Sequence, residues 1–73
     1  MSQSYAPLIA ESLLVRTFSF YIHDVRYSAP TLQLVQAPDE EEARRRAQVW
    51  LDESDHHQAI EVFEDDQPVL RLP

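Results

Sequence analysis

Ala59-Ile60-Glu61-Val62-Phe63-Glu64, a polar break at Asp65-Asp66-Gln67, and then Val69-Leu70-Arg71-Leu72 form the stretch on which the fold turns. Two runs with apolar residues at alternate positions, joined by a short polar break, read as a β-hairpin. Its register follows from side-chain faces, because a slip of one residue turns every side chain of a strand to the other face. A two-residue turn at Asp65-Asp66 would set Arg71 opposite Ile60, on the core side. A three-residue turn, Asp65 to Gln67, sets Leu70 opposite Val62 and Leu72 opposite Ile60, and is the expected form. Such a turn favours glycine at its left-handed position, and the chain has none, so Asp66 or Gln67 is expected there. Pro68 cannot donate to a ladder, which makes the last strand an edge.

Upstream, the residues Asp39 to Glu53 read as a helix. Asp39 is a good N-cap, Glu42 follows three residues later as in a capping box, and Pro38 ends the preceding extended segment. Ala43, Ala47, Trp50 and Leu51 make one apolar stripe. Opposite it, Glu40 with Arg44, Glu41 with Arg45 and Glu42 with Arg46 are spaced for acid-first pairs, and the acids lie at the positive end of the helix dipole.

Earlier still, Phe18, Phe20 and Ile22 alternate with Thr17, Ser19, Tyr21 and His23, a strand rich in aromatic and β-branched residues. Asp24 to Pro30 breaks it. Leu32 and Leu34 then alternate with Gln33 and Val35, and pairing Ile22 with Leu32 and Phe20 with Leu34 puts all four on one face. Residues 1–12 show no sustained period and read as a tail ahead of a single domain, 13–73, although Leu8, Ile9 and Leu13 would let it dock.

The expected fold is α+β, with element order ββαββ: a four-stranded, mainly antiparallel sheet in strand order 2-1-3-4 and one helix on one face. The predicted core is Phe18, Phe20, Ile22, Leu32, Leu34, Ala43, Ala47, Trp50, Leu51, Ile60, Val62, Leu70 and Leu72. The second face would carry Val15, Thr17, Tyr21, Val35, Phe63 and Val69. No second helix is left to cover it.

Size and charge narrow the function. The 73 residues suit one small core, worth roughly 3–5 kcal/mol, and small domains usually add a disulfide, a metal or an oligomer contact. With no cysteine the first route is closed. A formal charge of −7 argues against direct nucleic-acid binding and against an anionic membrane surface. The first residues lack the basic and apolar regions of a signal peptide, and no apolar run is long enough to span a bilayer, so the expected location is cytoplasmic.

Chemistry-bearing motifs are sparse. Asp52-Glu53-Ser54-Asp55-His56-His57, with His23, could be imagined as a divalent-metal site, but the spacing matches no zinc or EF-hand pattern. A solvated helix C-terminus accounts for it more simply. Arg44-Arg45-Arg46 is matched by neighbouring acids. There is no phosphate-binding glycine loop, cysteine nucleophile or nucleophile elbow, so neither enzymatic activity nor a cofactor is expected.

Phe18-Ser19-Phe20-Tyr21-Ile22-His23-Asp24, Asp39-Glu40-Glu41-Glu42-Ala43 with Ala47, and Ile60-Glu61-Val62-Phe63-Glu64-Asp65 with Val69 and Leu72 carry a resemblance. Over residues 16–72 the chain resembles short uncharacterised bacterial proteins with an aromatic strand, a D-E-E-A helix and an I-E-V-aromatic closing hairpin. It departs from them at Asp66-Gln67, where glycine is usual. The resemblance implies the fold and no activity. The expected role is a non-enzymatic protein-binding or scaffold module that self-associates as a homodimer, acting through Val15, Tyr21, Val35, Phe63 and Val69 or the edge at Val69 to Leu72. The rival expectation is an acidic inhibitor that mimics nucleic acid or occupies a basic site on a partner.

Overall fold

In the computed structural model, which describes residues 15–73, the order is β1 (Arg16–Asp24), β2 (Thr31–Ala37), α1 (Glu40–Asp52), β3 (His57–Glu64) and β4 (Gln67–Leu72). The expected tail and its docking residues Leu8, Ile9 and Leu13 lie outside the described residues. One antiparallel sheet runs β2-β1-β3-β4, with the aromatic strand inside. This is the order that follows when α1 carries the chain back across the sheet and β3 settles beside β1.

The helix begins as its sequence dictates. Asp39 is extended and its Oδ1 accepts the Glu42 N–H at 2.8 Å, satisfying one of the donors that a helix start leaves free. The reciprocal half of the capping box is not made, because the Glu42 carboxylate turns to Arg45 and Arg46. Of the three expected acid-first pairs only Glu42 with Arg46 forms; Arg45 also goes to Glu42, and Glu40 faces Arg16. At the other end the Trp50 carbonyl accepts both the Glu53 N–H and the His57 Nδ1–H, at 3.2 and 2.6 Å. Those two bonds close the helix without a glycine.

Between helix and sheet lie Phe18, Phe20, Ile22, Ala43, Ala47, Ile60, Val62 and Leu72, all buried as expected, with Trp50, Leu51 and Leu70 packed at their margin. Ala43 and Ala47 have almost no side chain to hold the helix off the sheet, so Phe20 reaches Trp50 edge to face, with centroids 5.6 Å apart.

Two features of the strands correct the sequence reading. In β2 the register is one residue away from the expected one: Phe18 faces Val35, Phe20 faces Gln33 and Ile22 faces Thr31. Val35, expected on the helix-free face, is therefore core at 8% exposure, together with Ala37, whereas Leu32 and Leu34, expected in the core, are 50% and 66% exposed. The physical reason is that β2 is apolar on both faces. Small Val35 and Ala37 fit beneath the helix, and the leucines gain Tyr21 and Ser19 as cross-strand neighbours on the other side.

The closing hairpin reaches its expected core register by a different route. Its turn has two residues, Asp65 and Asp66, with φ of 51° and 64°, the backbone signature of a type I′ turn. Aspartate tolerates the left-handed region better than most side chains. The turn alone would have brought Arg71 against Ile60. A β-bulge at Val69 absorbs one residue, so Leu70 faces Val62, Leu72 faces Ile60 and Arg71 faces Glu61. The same bulge packs Val69 against the core cluster, not onto the helix-free face where it was expected.

Candidate functional site

The helix covers one side of the sheet. On the other side Tyr21 and Phe63 meet edge to face at 5.4 Å, and both are half-buried. Leu32, directly opposite Tyr21 on β2, and Leu34, opposite Ser19, continue this apolar strip to the β2 edge. Of the residues expected to form an interaction surface, Tyr21 and Phe63 are together here, Val15 is exposed just ahead of β1, and Val35 and Val69 belong to the helix side. Leu32 and Leu34 were missed. Their signal was present in the chain as two leucines in a strand with no charged residue, but burial alone could not assign their face.

The strip ends in a polar border. Glu61 accepts a hydrogen bond from His23 Nε2 at 2.7 Å and lies 3.1 Å from Arg71. The His23 bond first, and then the Arg71 charge, hold its carboxyl below the usual range.

The two edges of the sheet differ. β4 carries Pro68, a bulge and Arg71, devices that discourage another strand from adding. β2 has none of them: Thr31-Leu32-Gln33-Leu34-Val35-Gln36-Ala37 is regular and uncharged. Its hydrogen-bonding direction can be read from two contacts. The Val25 N–H donates to His56 O at 2.9 Å, toward β3. Alternate residues of a strand point their amides the same way, so His23, Tyr21, Ser19 and Thr17 also serve β3, and Phe18, Phe20 and Ile22 serve β2. Their partners Val35, Gln33 and Thr31 bond inward. Leu32, Leu34 and Gln36 then turn their N–H and C=O groups to the edge that has no paired strand among the described residues, as the Gln36 carbonyl shows by accepting Arg46 Nη1 at 2.7 Å. Beside that edge an open groove of about 940 Å³ runs under α1, lined in part by Val35, Arg46, Val49 and Trp50.

Other clusters hold the frame. Asp24, 7% exposed at the end of β1, accepts the Arg26 backbone N–H at 2.8 Å and the Arg26 guanidinium at 3.0 and 2.6 Å, and His57 Nε2 lies 3.7 Å away. These bonds organise the loop into β2. The Arg26 guanidinium holds the Asp24 carboxyl well below the usual range, against the opposing effect of burial. At the other end of β1, Arg16 grips Glu64 through two bonds of 2.7 and 2.6 Å, and Glu64 is held low in turn.

Asp24 carries a pH prediction. Its folded pKa is depressed, so its contribution to stability is present in full above the unfolded value of about 4 and is lost as the pH falls from there toward the folded value. The urea midpoint of the wild type should fall through this window. Asp24→Asn should start lower at pH 7, fall less, and converge with the wild type in acid; parallel curves would contradict this role.

The residues imagined as a metal site are not brought together. His57 turns under the helix end to Trp50, His23 lies on the opposite face with Glu61, and among the described residues no group of three or more His, Cys, Asp or Glu could hold a metal ion. A nucleic-acid mimic would need a continuous carboxylate surface, from Asp39 to Glu42 with Asp52, Glu53 and Asp55 or from Glu61 to Asp66. These acids are engaged in part: Glu42 with two arginines, Glu61 with His23 and Arg71, Glu64 with Arg16, and Asp52 with Gln48. No helix among the described residues is long and apolar enough to cross a membrane. No protein-family model, curated protein or solved structure matches the chain.

Proposed function

We propose that the protein is a small, non-enzymatic binding module that associates with a second copy of itself through the uncharged β2 edge of the sheet and the apolar strip that ends there. The observation that supports this is the apolar strip of Leu32, Leu34, Tyr21 and Phe63, which runs uncovered among the described residues to an uncharged sheet edge. Exposed, regular, uncharged edges are a liability that monomeric proteins blunt. A domain of this size also gains from an oligomer contact, because its own core supplies only about 3–5 kcal/mol. An isologous pair is the simplest closed assembly.

Size-exclusion chromatography with light scattering tests the reading. The expected mass is twice the 8.5 kDa of one chain. A mass of 8.5 kDa at every concentration would overturn it.

A further inference from the structure

We infer that two copies join by antiparallel pairing of β2 with β2 of the second copy, about a two-fold axis through Gln33, into one continuous eight-stranded sheet. This rests on the self-association proposed above and specifies its surface and register.

Hydrogen bonding selects the register. Leu32, Leu34 and Gln36 present their amides outward, so they must pair with outward residues of the other copy. With the axis at Gln33, Leu32 faces Leu34 of the second copy and Leu34 faces Leu32, which uses both groups of all four leucines. Gln36 then comes opposite Pro30, the one residue there with no N–H to offer. The Gln36 carbonyl needs no donor from across the axis, because Arg46 already holds it. With the axis at Leu34 instead, Leu32 would direct its N–H to that occupied carbonyl, and its side chain would meet Gln36.

Side chains agree with the same register. A two-fold axis perpendicular to the sheet keeps both helix-free faces on one side, so the four leucines form a single cluster bordered by Tyr21 from each copy. On the helix side the axis brings the two grooves together, where Val49, 58% exposed in one copy, has apolar surface to cover. Charge permits the approach. Each chain carries −7, yet Tyr27 to Pro38 contains no charged residue and is the longest such run in the sequence.

The chain has no cysteine, so single-cysteine variants report contacts cleanly. At the axis Gln33 would face its own copy in a non-hydrogen-bonded pair, with Cα atoms about 4.5 Å apart, a spacing that a disulfide spans. Under a glutathione redox buffer, Gln33→Cys should give the covalent dimer at least roughly ten-fold faster than Leu34→Cys or Gln67→Cys, the last placed at the β4 edge. Leu34→Cys outrunning Gln33→Cys would overturn this register. Equal, slow crosslinking in a protein whose mass is doubled would overturn pairing through β2 and leave self-association standing. A wild-type mass of 8.5 kDa would remove both.

Discussion

Phe20→Ala removes essentially all of the domain's stability, leaving about half or more of the molecules unfolded at 25 °C in water. Phe20 sits at the middle of β1, paired on one side with Gln33 and on the other with Val62, and is 0% exposed. Its ring spans the space between sheet and helix and meets Trp50 edge to face. Truncating a buried phenylalanine costs about 3–5 kcal/mol, the lost transfer energy plus the cavity left behind. That equals the whole stability of roughly 3–5 kcal/mol expected for one small core. No neighbour can close the gap, because Ala43 and Ala47 opposite are too short and Ile60 and Val62 are fixed by the ladder. Trp50 is the only tryptophan, so its emission reports the loss directly. The variant should show solvent-exposed emission without a cooperative urea transition. A sharp transition with emission like the wild type's would contradict the placement of Phe20 at the centre of the core.

Leu34→Lys has the second large effect, on association and not on the fold. The side chain is 66% exposed in one copy, so the exchange should change the stability of that copy by only about 0.5 kcal/mol. In the pair it faces Leu32 of the second copy, and the two-fold axis makes the change twice. Covering a leucine is worth about 1.5–3 kcal/mol. With Leu34 66% exposed in one copy, losing two such contacts weakens the pair by about 2–4 kcal/mol, roughly thirty-fold or more in Kd. Lysine on an edge strand is also what natural sheets use to keep other strands away. The circular dichroism of the variant should match the wild type.

Much of this fold is legible in the chain because several local signals agree. The Asp39 cap, the alanine and Trp50 stripe and the aromatic period of β1 each point to the element that forms, and the strand order follows from one helix carrying the chain back. The closing hairpin shows how the right core can come from the wrong detail. Keeping Arg71 away from Ile60 was the correct constraint, and a two-residue turn with a bulge at Val69 satisfies it as well as a longer turn would. A bulge leaves no residue-type signature here, so the sequence could not choose between the two.

The β2 register was illegible for a related reason. Leu32 and Leu34 on one face and Val35 and Ala37 on the other are both apolar pairs, and the loop before them is too long to impose a register. Size would favour the leucines inside. Fit under the helix, which is a tertiary property, puts Val35 and Ala37 there. The observed register changes the candidate surface as well as the core, because it places Leu32 and Leu34 on the side of the sheet that the helix does not cover, beside the β2 edge.

In the proposed pair a second copy binds at this edge and strip. Light scattering on wild type and Leu34→Lys, side by side over a hundred-fold range of concentration, decides whether it does. The wild type should move from 8.5 kDa toward twice that mass as concentration rises, while the folded variant stays at 8.5 kDa throughout. A wild type that remains at 8.5 kDa, or a variant that doubles its mass at the same concentrations, would contradict the proposed pair.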